Sequence, residues 1–132
     1  MTIEMRYYLR IGEVSKITGL TCSTLRYYQQ INLIRDIKKD EAGLRIYSAE
    51  DVQWINFIVS VKTANLSIQD INLYADLYYS KNENFRDRLN LTLECKEKLV
   101  KEREKMNQGI EFMNEKIEYY KTKIAKTNDN IK

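Results

Sequence analysis

Thr24-Leu25-Arg26-Tyr27-Tyr28 decides how this chain is read. On a helix, Arg26 and Tyr27 stand side by side on one exposed face, while Leu25 and Tyr28, three apart, pack inward from the other. Upstream, Val14 and Ile17 lie one turn apart and predict the buried face of a short helix over 12–18. Gly19-Leu20 makes the turn, because glycine accepts a positive φ at little cost. Thr21 then caps a second helix of about 22–31 through its hydroxyl. Asn32 is a left-handed stop, after which Leu33-Ile34 folds back onto the core. Two short helices joined this way form a helix-turn-helix.

Downstream lies a second basic-aromatic cluster, Gly43-Leu44-Arg45-Ile46-Tyr47. Residues 35–47 read as a β-hairpin with Asp40-Glu41-Ala42-Gly43 at its tip. Two such clusters around a helix-turn-helix point to duplex DNA as the partner. The charge agrees. Of the 132 residues, net +3, the first 47 carry eight Lys/Arg against five acids, and the remaining charges cancel. The cationic surplus therefore sits where phosphate binding needs it.

Composition excludes several other chemistries. Zero histidines removes the usual general base and the commonest zinc ligand. Cys22 and Cys95 are far apart and form neither a Cys-x-x-Cys pair nor a disulfide framework. No metal and no cofactor is expected. With no paired-carboxylate cleft or phosphate-cradling glycine loop either, an enzyme is disfavoured. No apolar run reaches membrane-spanning length and no signal-peptide core stands at the amino terminus, so a cytoplasmic protein with no membrane partner is expected.

Ser48-x-x-Asp51 and Ser67-x-x-Asp70 resemble capping boxes that open helices of about 49–64 and 68–79. The first offers Val52, Ile55 and Val59 beside Trp54, Phe57, Ile58 and Val61; the second offers Ile68, Ile71, Tyr74, Ala75 and Tyr78. From about residue 83 the pattern becomes one long helix. Its stripe steps by four and three: Phe85, Leu89, Thr92, Lys96, Leu99, Arg103, Met106, Ile110, Met113, Ile117, Tyr120 and Ile124. This is a heptad repeat, weak at Lys96 and Arg103, which one helix cannot bury alone. A homodimer is expected, with Leu99, Met106, Ile110, Met113, Ile117 and Tyr120 in its seam. Gly109 lies off the seam and weakens the helix by about 1 kcal/mol relative to alanine.

Ile11-Gly12-Glu13-Val14, Thr18-Gly19-Leu20-Thr21, Thr24-Leu25-Arg26-Tyr27-Tyr28, Gly43-x-Arg45-x-Tyr47-Ser48 and Asp51-Val52, in this order, resemble the MerR family of bacterial transcription regulators. The resemblance implies a mainly α fold: a winged helix-turn-helix DNA-binding domain over 9–79, then a long antiparallel coiled-coil dimerisation helix over 82–126. It also implies a mechanism. A dimer sits on a pseudo-palindromic promoter spacer and distorts it, acting on RNA polymerase only indirectly through the promoter. Carried over by position, Arg26 and Tyr27 become major-groove and phosphate contacts. Thr21, Ser23 and Thr24 lie at the recognition helix's amino end, a phosphate site. Arg45 becomes the wing's phosphate clamp with Tyr47 beside it, and Lys62 and Thr63 serve a second wing. Leu44 stands where the family has tyrosine, and Asn32 where it has glycine.

Trp54-Ile55-Asn56-Phe57-Ile58, Leu66-Ser67-Ile68 and Lys116-Ile117-Glu118-Tyr119-Tyr120 are most similar to the aldehyde- and nitrosative-stress branch of that family, which implies a stress response. Ser60 stands where that branch carries its reactive cysteine, and a hydroxyl forms no thiolate. Cys95 is a candidate thiol sensor, against the simpler role of a small packing residue. Cys22 reads as filler, and Tyr74, Tyr78, Tyr79, Tyr119 and Tyr120 as core or dimer packing rather than a drug pocket. The rival function is a coiled-coil protein–protein adaptor that uses the helix-turn-helix to bind protein. The effector, operator and direction of regulation are not legible in the sequence.

Overall fold

The computed structural model describes residues 8–131; Arg6, counted above among the amino-terminal cations, lies outside them. Strand β1 (Leu9–Arg10) leads directly into α1 (Ile11–Thr18). The Arg10 N–H donates to Glu13 Oε1 at 3.0 Å, which satisfies one of the free groups at the helix start. Gly19, at φ 79°, ends α1 in the left-handed region. Thr21 Oγ1 accepts from the Thr24 N–H at 3.1 Å and starts α2 (Cys22–Gln30). After α2, Asn32 adopts φ 67°, and the N–H groups of Leu33 and Ile34 both donate back to the Tyr28 carbonyl. Asparagine thus makes the reversal without a glycine, because its short polar side chain tolerates αL.

Strands β2 (Lys38–Lys39) and β3 (Arg45–Tyr47) form the hairpin, and β1 joins its other side in the order β1-β3-β2. All pairs are antiparallel, with Leu9 opposite Tyr47 and Lys39 opposite Arg45. Ser48 and Asp51 make the reciprocal cap that opens α3 (Ala49–Thr63). A reversal at Asn65 (φ 75°) and a cap from Ser67 open α4 (Ile68–Tyr78). The last element is α5 (Phe85–Ile131), 47 residues long. At 1.5 Å per residue it spans roughly 70 Å.

The core joins Val14 of α1, Leu25 and Tyr28 of α2, Leu33 and Ile34, Tyr47, and Trp54, Ile55, Ile58 and Val61 of α3, with Ile71 and Ala75 of α4. Ile17 is a correction: it is 55% exposed, not buried with Val14. Thr18 takes the inner position instead, its hydroxyl donating to the Val14 carbonyl at 2.8 Å. Val52, Val59 and Ile68 are only partly buried at the core's edge.

Helix α5 first leans on this domain and then leaves it. Cys95 is buried, and Leu91 and Leu99 pack partly against the core. Leu99, expected in the dimer seam, thus has a partly intramolecular environment. Lys98 Nζ reaches Asp70 Oδ2 at 2.8 Å and ties α5 to α4. From Arg103 to Asp129 every residue of α5 is exposed.

Candidate nucleic-acid interface

The interface begins with the turn between α1 and α2. Thr21 caps α2, and its hydroxyl pairs with that of Thr24 at 2.9 Å. Thr24 is half-buried, Ser23 exposed, and Arg26 exposed with no hydrogen bond or ion pair among the described residues. Tyr27 is 53% exposed, its ring tilted at 45° to that of buried Tyr28. Leu25 and Tyr28 thus anchor α2 from inside while Arg26 and Tyr27 face water, as their spacing predicts.

The hairpin tip is built around one carboxylate. Asp40 Oδ1 accepts the N–H groups of Ala42 and Leu44, each at 2.9 Å, and Oδ2 is ion-paired with Arg10. The Leu44 N–H first, then the Arg10 guanidinium, hold the Asp40 carboxyl below the ordinary carboxylate value. Gly43 supplies the φ of 83° that closes the turn. Leu44 is exposed at the tip. The hairpin does not stand alone: Arg45 Nε donates to Gln29 Oε1 of α2 at 2.9 Å. That contact joins the wing to the helix beside it. Sequence reading missed Gln29, since nothing in its local pattern shows that α2 and β3 come together.

Tyr47 is a correction. It is 1% exposed, a core residue rather than a partner for phosphate. Ile46 and Tyr47 are both buried, but only Tyr47 belongs to the core cluster, and α1 packs on β3. Burial pushes the Tyr47 phenol up, with Arg45 and Arg26 acting the other way. Its hydroxyl has no hydrogen-bond partner among the described residues.

Lys62 and Thr63 are exposed at the end of α3, the Thr63 hydroxyl donating to the Val59 carbonyl at 2.7 Å. Cys95 lies away from both clusters. Burial, reinforced by Asp70, raises its thiol above the ordinary value, which keeps it protonated at neutral pH. Cys22 is half-buried at the start of α2. No group of three or more His, Cys, Asp or Glu among the described residues has a metal-binding arrangement. No helix among them is long and apolar enough to cross a membrane.

Comparison with known proteins agrees with this geometry. Residues 9–77 match the model of the MerR HTH family regulatory protein. The HTH-type transcriptional regulator AdhR of Bacillus subtilis is 35% identical over 92 residues, 70% of this chain and 66% of that protein. YyaN of the same organism, an uncharacterized HTH-type transcriptional regulator, is 36% identical over 62 residues, 47% of this chain and 45% of its own. The matched stretch therefore spans less than two thirds of either relative. A Listeria monocytogenes structure described as a MerR family transcriptional regulator superposes with a TM-score of 0.84 at 29% identity, covering 93% of both chains. HiNmlR, a MerR family regulator lacking the sensor domain and solved bound to promoter DNA, shares the fold at 20% identity and a TM-score of 0.78, over 87% of this chain and 91% of its own. The chain belongs to the MerR family of helix-turn-helix regulatory proteins.

Proposed function

We propose that this chain is a homodimeric, sequence-specific DNA-binding regulator of transcription. Residues 9–79 form its DNA-binding domain and 82–126 its dimerisation helix. One observation carries the reading: Arg26 and Tyr27 stand exposed on α2, and the Gln29–Arg45 hydrogen bond fixes the wing's cation beside that helix. In this reading α2 enters the major groove and Thr21, Ser23 and Thr24 present its amino end to phosphate. Arg45 holds the backbone from the wing; Lys62 and Thr63 do so from the second wing.

The dimer rests on α5. Met106, Ile110, Met113, Ile117, Tyr120 and Ile124 are 48–62% exposed on one stripe. A second copy running antiparallel buries that stripe and sets two reading heads on a pseudo-palindrome. Distorting the spacer between them then controls transcription, affecting RNA polymerase through promoter shape. The resemblance of Trp54-Ile55-Asn56-Phe57-Ile58 on α3 to the family's aldehyde- and nitrosative-stress branch supports a stress-linked role, which we place in the cytoplasm.

A mobility-shift titration of the purified chain on its own promoter region tests the proposal. A competitor-resistant shift with dimer stoichiometry is expected. A stable dimer with no sequence-specific shift would instead favour a coiled-coil adaptor.

A further inference from the structure

Among the described residues, Tyr47 Oη is a buried side-chain polar atom with no hydrogen-bond partner. Folded chains pair such groups almost throughout, because a donor or acceptor left unmet away from water is disfavoured. Trp54 and Thr18, also buried, each reach a backbone carbonyl, of Leu33 and of Val14. The Tyr47 hydroxyl reaches none.

The phenol ends at the junction of α2 and β3. Side chains alternate across a strand, so Arg45 and Tyr47 leave β3 on one side. That side faces α2, since Arg45 Nε donates to Gln29 Oε1 at 2.9 Å. On α2, Gln29, Arg26 and Cys22 are spaced by three and four and share a face. The phenol runs along this face toward the amino end of the helix: besides burial, Arg45, Arg26 and Cys22 act on its ionisation, in that order.

Two cations therefore border the oxygen, and they differ. Arg45 is engaged by Gln29, whereas Arg26 has no hydrogen-bond or ion-pair partner among the described residues. A guanidinium carries five N–H donors in a planar fork and no acceptor, and a phenol oxygen can take one of them. A long side chain that reads DNA loses rotamer freedom on docking, and a neighbour that holds it in place lowers that loss.

We propose that Tyr47 is a positioning residue for DNA reading: on the duplex its buried oxygen accepts one N–H of Arg26, which orients the fork and leaves its outer donors for the groove. The inference rests on the DNA-binding reading and adds to it a residue that stays inside the protein. In the free chain water competes for the guanidinium. At a dehydrated interface that competition ends, and the two unpaired groups satisfy each other.

Tyr47→Phe deletes only the oxygen. Mobility-shift titrations of the full chain, on its own promoter region and on a scrambled duplex of equal length, read the effect beside urea unfolding. Promoter binding weakens about tenfold, while binding to the scrambled duplex and the salt slope keep their wild-type values. In an Arg26→Ala background the same substitution changes promoter affinity less than about twofold, whereas in an Arg45→Ala background the tenfold loss persists. This cycle decides the matter even where the phenylalanine variant unfolds at lower urea, because a general loosening acts equally with and without Arg26. Full promoter affinity in Tyr47→Phe, or a loss that survives removal of Arg26, overturns the proposal. A loss that vanishes with Arg45 instead overturns the choice of Arg26 as the group held. Wild-type protein that gives no sequence-specific shift overturns the DNA-binding reading itself.

Discussion

Arg45 is held at 2.9 Å by Gln29, so the wing and the helix beside it present their polar groups as one unit. In the proposed interface the two residues have separable roles on DNA. Arg45→Ala removes a phosphate contact: affinity falls across all sequences, and the slope of log K against log salt drops by about one. Gln29→Ala leaves the cation in place but unheld. Affinity then falls by about 0.5–1.5 kcal/mol while the salt slope keeps its wild-type value. Filter-binding titrations at several salt concentrations separate the two outcomes.

Arg26 has no hydrogen-bond or ion-pair partner among the described residues, so its removal is expected to cost DNA binding and not folding. Arg26→Ala weakens operator binding by about 1–3 kcal/mol, with thermal stability unchanged. A phosphate role also flattens the salt slope, whereas a base-edge role relaxes preference at one position. Unchanged affinity and slope together would remove Arg26 from the interface.

Trp54 holds the turn after α2 from below. Its Nε1–H donates to the Leu33 carbonyl at 2.7 Å within the core. Trp54→Phe keeps most of the ring but leaves that carbonyl unpaired, a loss of about 1–3 kcal/mol. The midpoint of urea unfolding, followed by circular dichroism, reads it.

Tyr79 closes the same turn from α4's end. Its hydroxyl accepts the Arg35 N–H at 3.2 Å, and the Arg35 guanidinium lies 5.3 Å from its ring centroid. Burial pushes the phenol from 10.0 to about 12. The folded state therefore holds this proton more tightly than the unfolded chain does. The resulting stabilisation is complete below pH 10 and is lost as pH rises toward 12. Tyr79→Phe flattens that part of the alkaline limb. A smaller slope remains, because burial also raises the phenols of Tyr47 and Tyr78.

The two thiols differ in access. Cys95 is buried and held protonated, whereas Cys22 is half-buried at the start of α2. In the native protein a colorimetric disulfide reagent labels Cys22 first. Cys22→Ser abolishes the fast phase, and Cys95→Ser leaves it intact. Equal promoter induction by electrophiles in wild type and Cys95→Ser would exclude a sensing role for that thiol.

Local chemistry makes the helix-turn-helix and the hairpin legible in the sequence. Gly19, Thr21, Asn32, Gly43, Ser48 and Ser67 act on their immediate neighbours, and each turn or cap lies where their side chains dictate. The errors came where tertiary contacts choose between equivalent local patterns. Val14 has partners at both three and four residues' distance, and packing selected Thr18 over Ile17. Alternation along a strand would free one of Ile46 and Tyr47, but both are buried where α1 packs on β3. On α5, periodicity finds an apolar stripe without saying what covers it. Arg88, Leu91, Cys95 and Leu99 turn toward the helix's own domain, a face the seam of Phe85, Leu89 and Thr92 did not reveal.

The exposed length of α5 beyond Glu102 has a consequence for how the molecule responds to its own abundance. A helix in a protein owes most of its stability to packing of its amphipathic face, and this stretch has no such packing among the described residues. In the proposed dimer, diluted chains therefore lose the partner that covers the stripe and with it the fixed span between two heads, whereas abundant ones keep it. On that reading, occupancy at a promoter climbs faster than the amount of protein made, so modest changes in synthesis or turnover give a sharp genetic response.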